Sequence, residues 1–395
     1  MVGTHRARID SIDLLRGVVI ILMALDHVRM YFGQGSLYAD PTDLSTTTTL
    51  LFLTRWITHF CAPVFIFLAG TSAALYWARR QNTRQLSGYL FTRGLWLIFL
   101  ELVIVNFGWT FDITFSFRFI QVIWAIGASM VVLAALVYMP KWAIFATGIV
   151  LVAGHNLLDP IQVQGTSVPA VIWYILHQEA IIAFQPNLIV YFHYPLIPLV
   201  GLMALGYVFG TLYRPEFGAA RRKKWLLGMG TAAILLFTIL RAFNLYGDPN
   251  PWSPQPTAVN SILSFLNTTK YPMSLHFLLM TMGPALVFLA LVEGVRNRIT
   301  GILLAFGGVS LFFYIVHIYV IHLLAVVALV ISGRSWTEYI ITAEAWVNQT
   351  TADFGFDLWV VYLVWILVVV GMYPLSKWYR AYKKGHPEKR LLAYI

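Results

Sequence analysis

The chain has 395 residues, of which 59% are hydrophobic and 11% charged, with a formal net charge of +10. At a mean hydropathy of +0.73 it carries too much apolar surface for a water-soluble globule, so the expected class is an all-α polytopic membrane bundle. The positive charges sit in short segments beside apolar runs rather than in one interleaved patch, which argues against a nucleic-acid partner, and the single cysteine, Cys61, excludes an internal disulfide framework.

Runs long enough to span a bilayer occur at 11–32, 49–78, 87–107, 118–139, 142–158, 191–213, 225–243, 273–293, 303–332 and 358–376, about ten helices by the ~20-residue criterion. The first run contains Arg16, Asp26 and His27. Charges inside hydrocarbon are costly and usually functional. No small-x-small cleavage site follows, so this run reads as a retained anchor rather than a signal peptide. Arg16 and His27 are eleven residues apart, which at ~100° and ~1.5 Å per residue places them on one helix face about 16 Å apart. Asp26 points away from His27 and has Arg29 at i+3 as its expected partner.

In the second run Arg55 and His59 share a face at i,i+4, and Pro63 frees the carbonyl of His59, which predicts a kink at mid-membrane. The third run carries Arg93 in one half and Glu101 in the other. Gly201, Gly206 and Gly210 in the sixth predict close helix contact, and glycine-lined faces would permit a homodimer. Lys270 and Tyr271 stand at the mouth of the eighth run; His317 and His322 in the ninth are about 140° apart on their helix.

Connecting segments alternate in character. Nineteen Lys and Arg residues, including Arg6, Arg8, the Arg221–Lys224 group and the tail 377–395, fall on one side; only Arg118, Arg241, Lys270 and Arg334 fall on the other. By the positive-inside rule both termini are expected in the cytoplasm. The long connections 33–48, 159–190, 244–272 and 333–357 then face outward, where a site handling extracytoplasmic material is expected. No repeat or linker divides the chain, so 1–395 reads as a single domain.

His27 is suited to act as a general base or as an acyl-carrying nucleophile, with His59 or Glu101 as its orienting group. Arg16 and Arg93 suit phosphate, Arg16 through its planar guanidinium fork, with Asp13 as the competing ion-pair partner. No histidine pair has the i,i+4 spacing of a helical zinc site, so no metal is expected. A proton-coupled transporter of a small polar or lipid-linked molecule, with buried His, Asp and Arg as a relay, is the alternative.

The runs RIDSIDLLRGVVIILMALDHVRMYF, TRWITHFCAPVFIFLAGTSAALY, FIQVIWAIGASM, YPLIPLVGLMALGYVFG, TTKYPMSLHFLLMTMGPALVFLAL and LFFYIVHIYVIHLLA resemble those of the bacterial DUF1624 membrane proteins. These are similar to the catalytic domain of the heparan-alpha-glucosaminide N-acetyltransferase family, within the transmembrane acyltransferase superfamily. The resemblance implies a bacterial inner-membrane enzyme that moves an acetyl group from cytoplasmic acetyl-CoA to an amine or hydroxyl of a sugar or glycan on the outer face. Arg16 and His27 fit the superfamily's Arg/Lys-x10-His pattern. It implies CoA phosphates beside Arg16 and the thioester at His27; with the residue reading above, Arg93 joins the CoA site, Asp26, His59 and Glu101 join His27 as catalytic candidates, and Arg55, Lys270 and Tyr271 are expected to contact the acceptor. The lysosomal member carries asparagine where His27 aligns and draws its catalytic histidine from the following loop. Residues 33–48 here contain no histidine, so His59 stays a second candidate.

Overall fold

The computed structural model describes residues 10–386 together with 388, 389 and 392; Arg6, Arg8 and Arg390, counted above as basic residues, lie outside the described residues. The protein is an all-α bundle with one small sheet. Helices α1 (Asp10–Phe32), α2 (Thr49–Thr58), α3 (Cys61–Arg80), α4 (Thr83–Leu100), α5 (Asn106–Thr110), α6 (Val122–Leu136), α7 (Lys141–Gly154) and α8 (Val168–Leu176) are followed by α9 (Leu196–Phe209), α10 (Ala219–Ala242), α11 (Ala258–Leu266), α12 (Leu275–Leu291), α13 (Arg298–Gly307), α14 (Ser310–Ile331), α15 (Ala343–Val347) and α16 (Leu358–Gly385). Seven helical segments of the described residues are long and apolar enough to cross a membrane, and together with the shorter apolar helices they make this an integral membrane protein.

Helix α1 is buried on nearly every side, packed by α2, α3, α12, α13, α14 and α16. That placement explains how one helix tolerates Asp13, Arg16, Asp26, His27 and Arg29: each faces protein rather than lipid. Two glycines fix the contact. A Cβ on Gly17 would stand 2.1 Å from the Leu303 carbonyl oxygen, and one on Gly307 would stand 1.8 Å from that of Asp13. The α3–α9 pair is built the same way, with Gly206 against the Phe67 carbonyl at 2.1 Å and Gly70 against that of Met203 at 2.0 Å.

Three expected spans are interrupted. The 49–78 run breaks at His59 and Phe60. Pro63 therefore sits in the first turn of α3, where its missing N–H costs little, and produces a break between two helices rather than a kink in one. The 303–332 run divides at Gly308 and Val309 into α13 and α14. In the third span, Glu101–Val105 forms a π-helical turn between α4 and α5.

The sheet is a feature that hydropathy did not reveal: one strand was absorbed into the 118–139 run, and the other two fall wholly or mostly in the 159–190 connection. Strand β1 (Phe117–Ile120) pairs in parallel with β3 (Leu188–Phe192), which pairs antiparallel with β2 (Ala180–Gln185), in the order β1-β3-β2. Asn106 anchors it to α5, donating from Nδ2 to the Phe117 carbonyl at 3.2 Å and accepting at Oδ1 from the Phe119 N–H at 2.8 Å. The sheet roofs the end of the bundle where α1 finishes.

Candidate functional site

Two cavities open near opposite ends of α1. One, of about 310 Å³, is lined by Arg16, Arg93 and Lys383 and by apolar side chains including Met23, Phe65 and Leu97. The structure thus brings the two predicted phosphate-binding arginines into one space. The groups that hold Arg16 in place include Asp13 Oδ1 at 3.3 Å, the Leu68 carbonyl at 3.2 Å and the Ser72 hydroxyl. Asp13 is thus a partner, as the i−3 spacing allowed, while Arg16 still borders the cavity.

The other cavity, of about 780 Å³, lies under the sheet and the long connections. Asp26, His27, Arg55, His59, Lys270 and Tyr271 all line it, as do Glu179, Tyr191, His193 and Tyr194, which sequence reasoning did not single out. Asp26 and His27 diverge by one helical step yet border the same space. The Asp26 carboxylate is fully engaged: Arg29 donates to Oδ1 from Nη2 at 3.0 Å and from Nε at 3.3 Å, and Arg55 pairs with Oδ2. This carboxylate–arginine cluster ties α1 to α2 and leaves His27 to another partner.

That partner is His317 on α14, whose Nε2 lies 2.8 Å from His27 Nδ1 with the rings stacked. The tautomers follow from the bonding pattern. His317 Nδ1 meets the Phe313 carbonyl at 2.9 Å, and a carbonyl only accepts, so that nitrogen carries the proton. Nε2 of neutral His317 is then an acceptor, His27 donates to it from Nδ1, and His27 Nε2 is left unprotonated. No hydrogen bond engages His27 Nε2 among the described residues. The arrangement is that of a base oriented through its second nitrogen. His317 was visible in sequence only as one intramembrane histidine among several.

The expected orienting groups sit elsewhere. Glu101 lines neither cavity; its Oε2 accepts the N–H groups of Ile123 at 2.9 Å and Trp124 at 3.1 Å, capping the start of α6. His59 borders the larger cavity, but its ring packs on Phe277 and its Nδ1 is buried without a partner among the described residues.

His27 also forms part of the wall between the cavities. Its ring meets Trp109 edge-on at 4.8 Å and Tyr314 at 5.9 Å; Trp109 lines the larger cavity and Tyr314 the smaller. The eleven-residue spacing thus sets Arg16 and His27 beside two spaces separated by one layer of rings, not along one continuous channel. The wall is thin: Gln121 lines one cavity and its neighbour Val122 the other.

At the far side of the larger cavity, Glu179 Oε1 accepts from Tyr191 and from His193 Nδ1, both at 2.6 Å. The His193 ring lies 3.7 Å from that of Tyr271, whose hydroxyl is 3.5 Å from both Arg55 Nη2 and the Tyr194 hydroxyl. Burial acts to raise the Tyr271 phenol, but His193, Lys270 and Arg55 around it bring it down to about 7. The cavity therefore offers cations, a carboxylate and an acidic phenol within reach of one bound polar molecule.

The family model described as heparan-alpha-glucosaminide N-acetyltransferase, catalytic, matches residues 8–242, more than half of the chain. No curated protein matches it.

Proposed function

The chain belongs to the heparan-alpha-glucosaminide N-acetyltransferase catalytic family, and from that premise we propose that it is a membrane-bound acetyltransferase that passes an acetyl group from acetyl-CoA to an amine or hydroxyl of a sugar or glycan. The Arg16 and Arg93 cavity takes the donor from the cytoplasmic side, and the cavity beneath the sheet takes the acceptor from the outer side of a bacterial inner membrane. The single observation that carries this reading is the His27–His317 pair, which leaves an unprotonated imidazole nitrogen at the wall between a cationic cavity and a polar one.

Arg16, with Arg93 and Lys383 beside it, binds the donor's phosphates, and Met23, Phe65 and Leu97 pack along its apolar arm. The ring layer of Trp109 and Tyr314 yields to bring the thioester carbonyl to His27. Arg55, Lys270 and Tyr271 hold the acceptor. His27 Nε2 removes the proton from the acceptor amine or hydroxyl as that atom bonds to the carbonyl carbon; the carbon–sulfur bond breaks, and His27 returns the proton to the departing thiolate. His317 accepts the Nδ1 hydrogen bond throughout and stabilises the imidazolium between these steps. His59, also bordering the acceptor cavity, is a second proton carrier for the acceptor.

Purified protein in proteoliposomes, given acetyl-CoA on one side and an amino sugar on the other, tests the reading. It requires CoA release that depends on the acceptor, and thermal stabilisation by CoA alone. Neither is expected of a transporter.

A further inference from the structure

A second cluster of histidines lies outside both cavities. His155, at the end of α7, Asp159 four residues on, and His177, at the end of α8, bring one ligating atom each to within 4.8 Å of one another. Both histidines are buried at 2% exposure, and neither ring nitrogen of His155, nor Nδ1 of His177, makes a well-formed hydrogen bond among the described residues. One His155 nitrogen has a loose hydrogen-bonding contact with the Met273 backbone, which leaves its other nitrogen and His177 Nδ1 without any partner among the described residues. Burying so many unpaired imidazole nitrogens costs free energy unless a partner is supplied.

We propose that His155, Asp159 and His177 bind a divalent transition metal of the zinc type. His177 Nε2 and Asp159 Oδ1 are 3.1 Å apart, close to the ligand-to-ligand edge of about 3.3 Å in a tetrahedron with ~2.0–2.1 Å bonds. His155, within 4.8 Å of the other two, completes the set by a ring movement of roughly 1.5 Å, leaving a fourth position for water. The other Asp159 oxygen accepts from Asn156 Nδ2 at 2.8 Å, the outer-layer hydrogen bond that orients a ligating carboxylate. Asn156 in turn accepts from the Leu275 N–H at 3.0 Å, so the ion would clamp α7, the 159–177 connection and the start of α12. That connection leads directly into Glu179 and β2, which border the larger cavity. The role is structural, since neither histidine lines that cavity.

The test uses the full-length protein purified without a polyhistidine tag, equilibrated with Zn²⁺, dialysed and analysed for metal. The expected content is about one zinc per chain, a lowered Tm after chelation, and visible d–d absorption when Co²⁺ replaces zinc. His155→Gln and His177→Gln, each checked for folding by its elution profile, are expected to cut the retained metal about tenfold or more. Folded wild-type protein with neither bound zinc nor a Co²⁺ spectrum overturns the proposal. So does metal retention in both variants equal to that of the wild type.

Discussion

His27 on α1 and His317 on α14 share a 2.8 Å hydrogen bond that joins two helices 290 residues apart in sequence. The Phe313 carbonyl sets the direction of that bond, and hence which nitrogen of His27 is a base. A positioning histidine acts through the tautomer it imposes, so its removal should affect turnover and not donor binding. His317→Ala is expected to lower kcat about 100-fold while leaving the KM for acetyl-CoA within about twofold. Steady-state kinetics in detergent check this, and a pure KM effect would assign His317 to binding instead.

Arg16 meets the smaller cavity with a fork already supported by Asp13, Leu68 and Ser72. Hydrogen bonds to charged groups are worth about 1.5–3 kcal/mol, so Arg16→Ala should raise the donor KM roughly 10- to 100-fold with a smaller change in kcat. Arg16→Lys should recover only part of this, since an ammonium lacks the fork. CoA titration by thermal shift gives the same ranking without turnover.

Asp26 has a structural place between two helices. Its carboxylate pairs with both Arg29 and Arg55 in a buried cluster, and removing it leaves two buried cations without their counter-charge. Asp26→Asn is expected to destabilise the protein by about 3–5 kcal/mol, read as a markedly lower Tm. The double variant Asp26→Asn with Arg29→Met should recover part of the loss.

Tyr271 titrates early. Burial opposes its ionisation, but His193, Lys270 and Arg55 outweigh that and bring it to about 7, below the ordinary tyrosine value of 10. Its folded pKa is depressed, so its contribution to stability is fully present above pH 10, declines as pH falls through 10 to 7, and is lost below 7. Ultraviolet difference spectra should show one tyrosinate forming near pH 7 in the wild type and none there in Tyr271→Phe.

The close helix contacts make a separate test of the fold. A methyl at Gly206 would meet the Phe67 carbonyl at 2.1 Å, backbone against backbone with no flexible group to yield. Gly206→Ala should therefore lower Tm far more than Gly228→Ala, where a Cβ has open space.

The bundle was legible because intramembrane helices need long apolar runs, and each expected run does contain a helix. The break at Gly308 was hidden because hydropathy averages over a turn or two; that at His59 was read from Pro63 as a kink and is a full break between two helices. Strand β1 read as the start of a span, since an apolar strand roofing a bundle has the composition of one, while β2 and most of β3 fell in the expected 159–190 connection. Within the site, Arg16, Arg93 and His27 stood out as charged or titratable groups in hydrocarbon. The pairing of His27 with His317, and of Asp26 with Arg55, depends on which helices become neighbours, which spacing within one helix does not encode. Glu101 shows the converse: a buried carboxylate that signals chemistry in sequence serves here to cap α6.

The central claim, that His27 Nε2 is the base for acetyl transfer, is tested most directly by acceptor-dependent CoA release in the His27→Gln variant, with folding confirmed by retained CoA stabilisation. Loss of roughly 100- to 10,000-fold in kcat, with donor binding intact, is the predicted result. Release at the wild-type rate would contradict it.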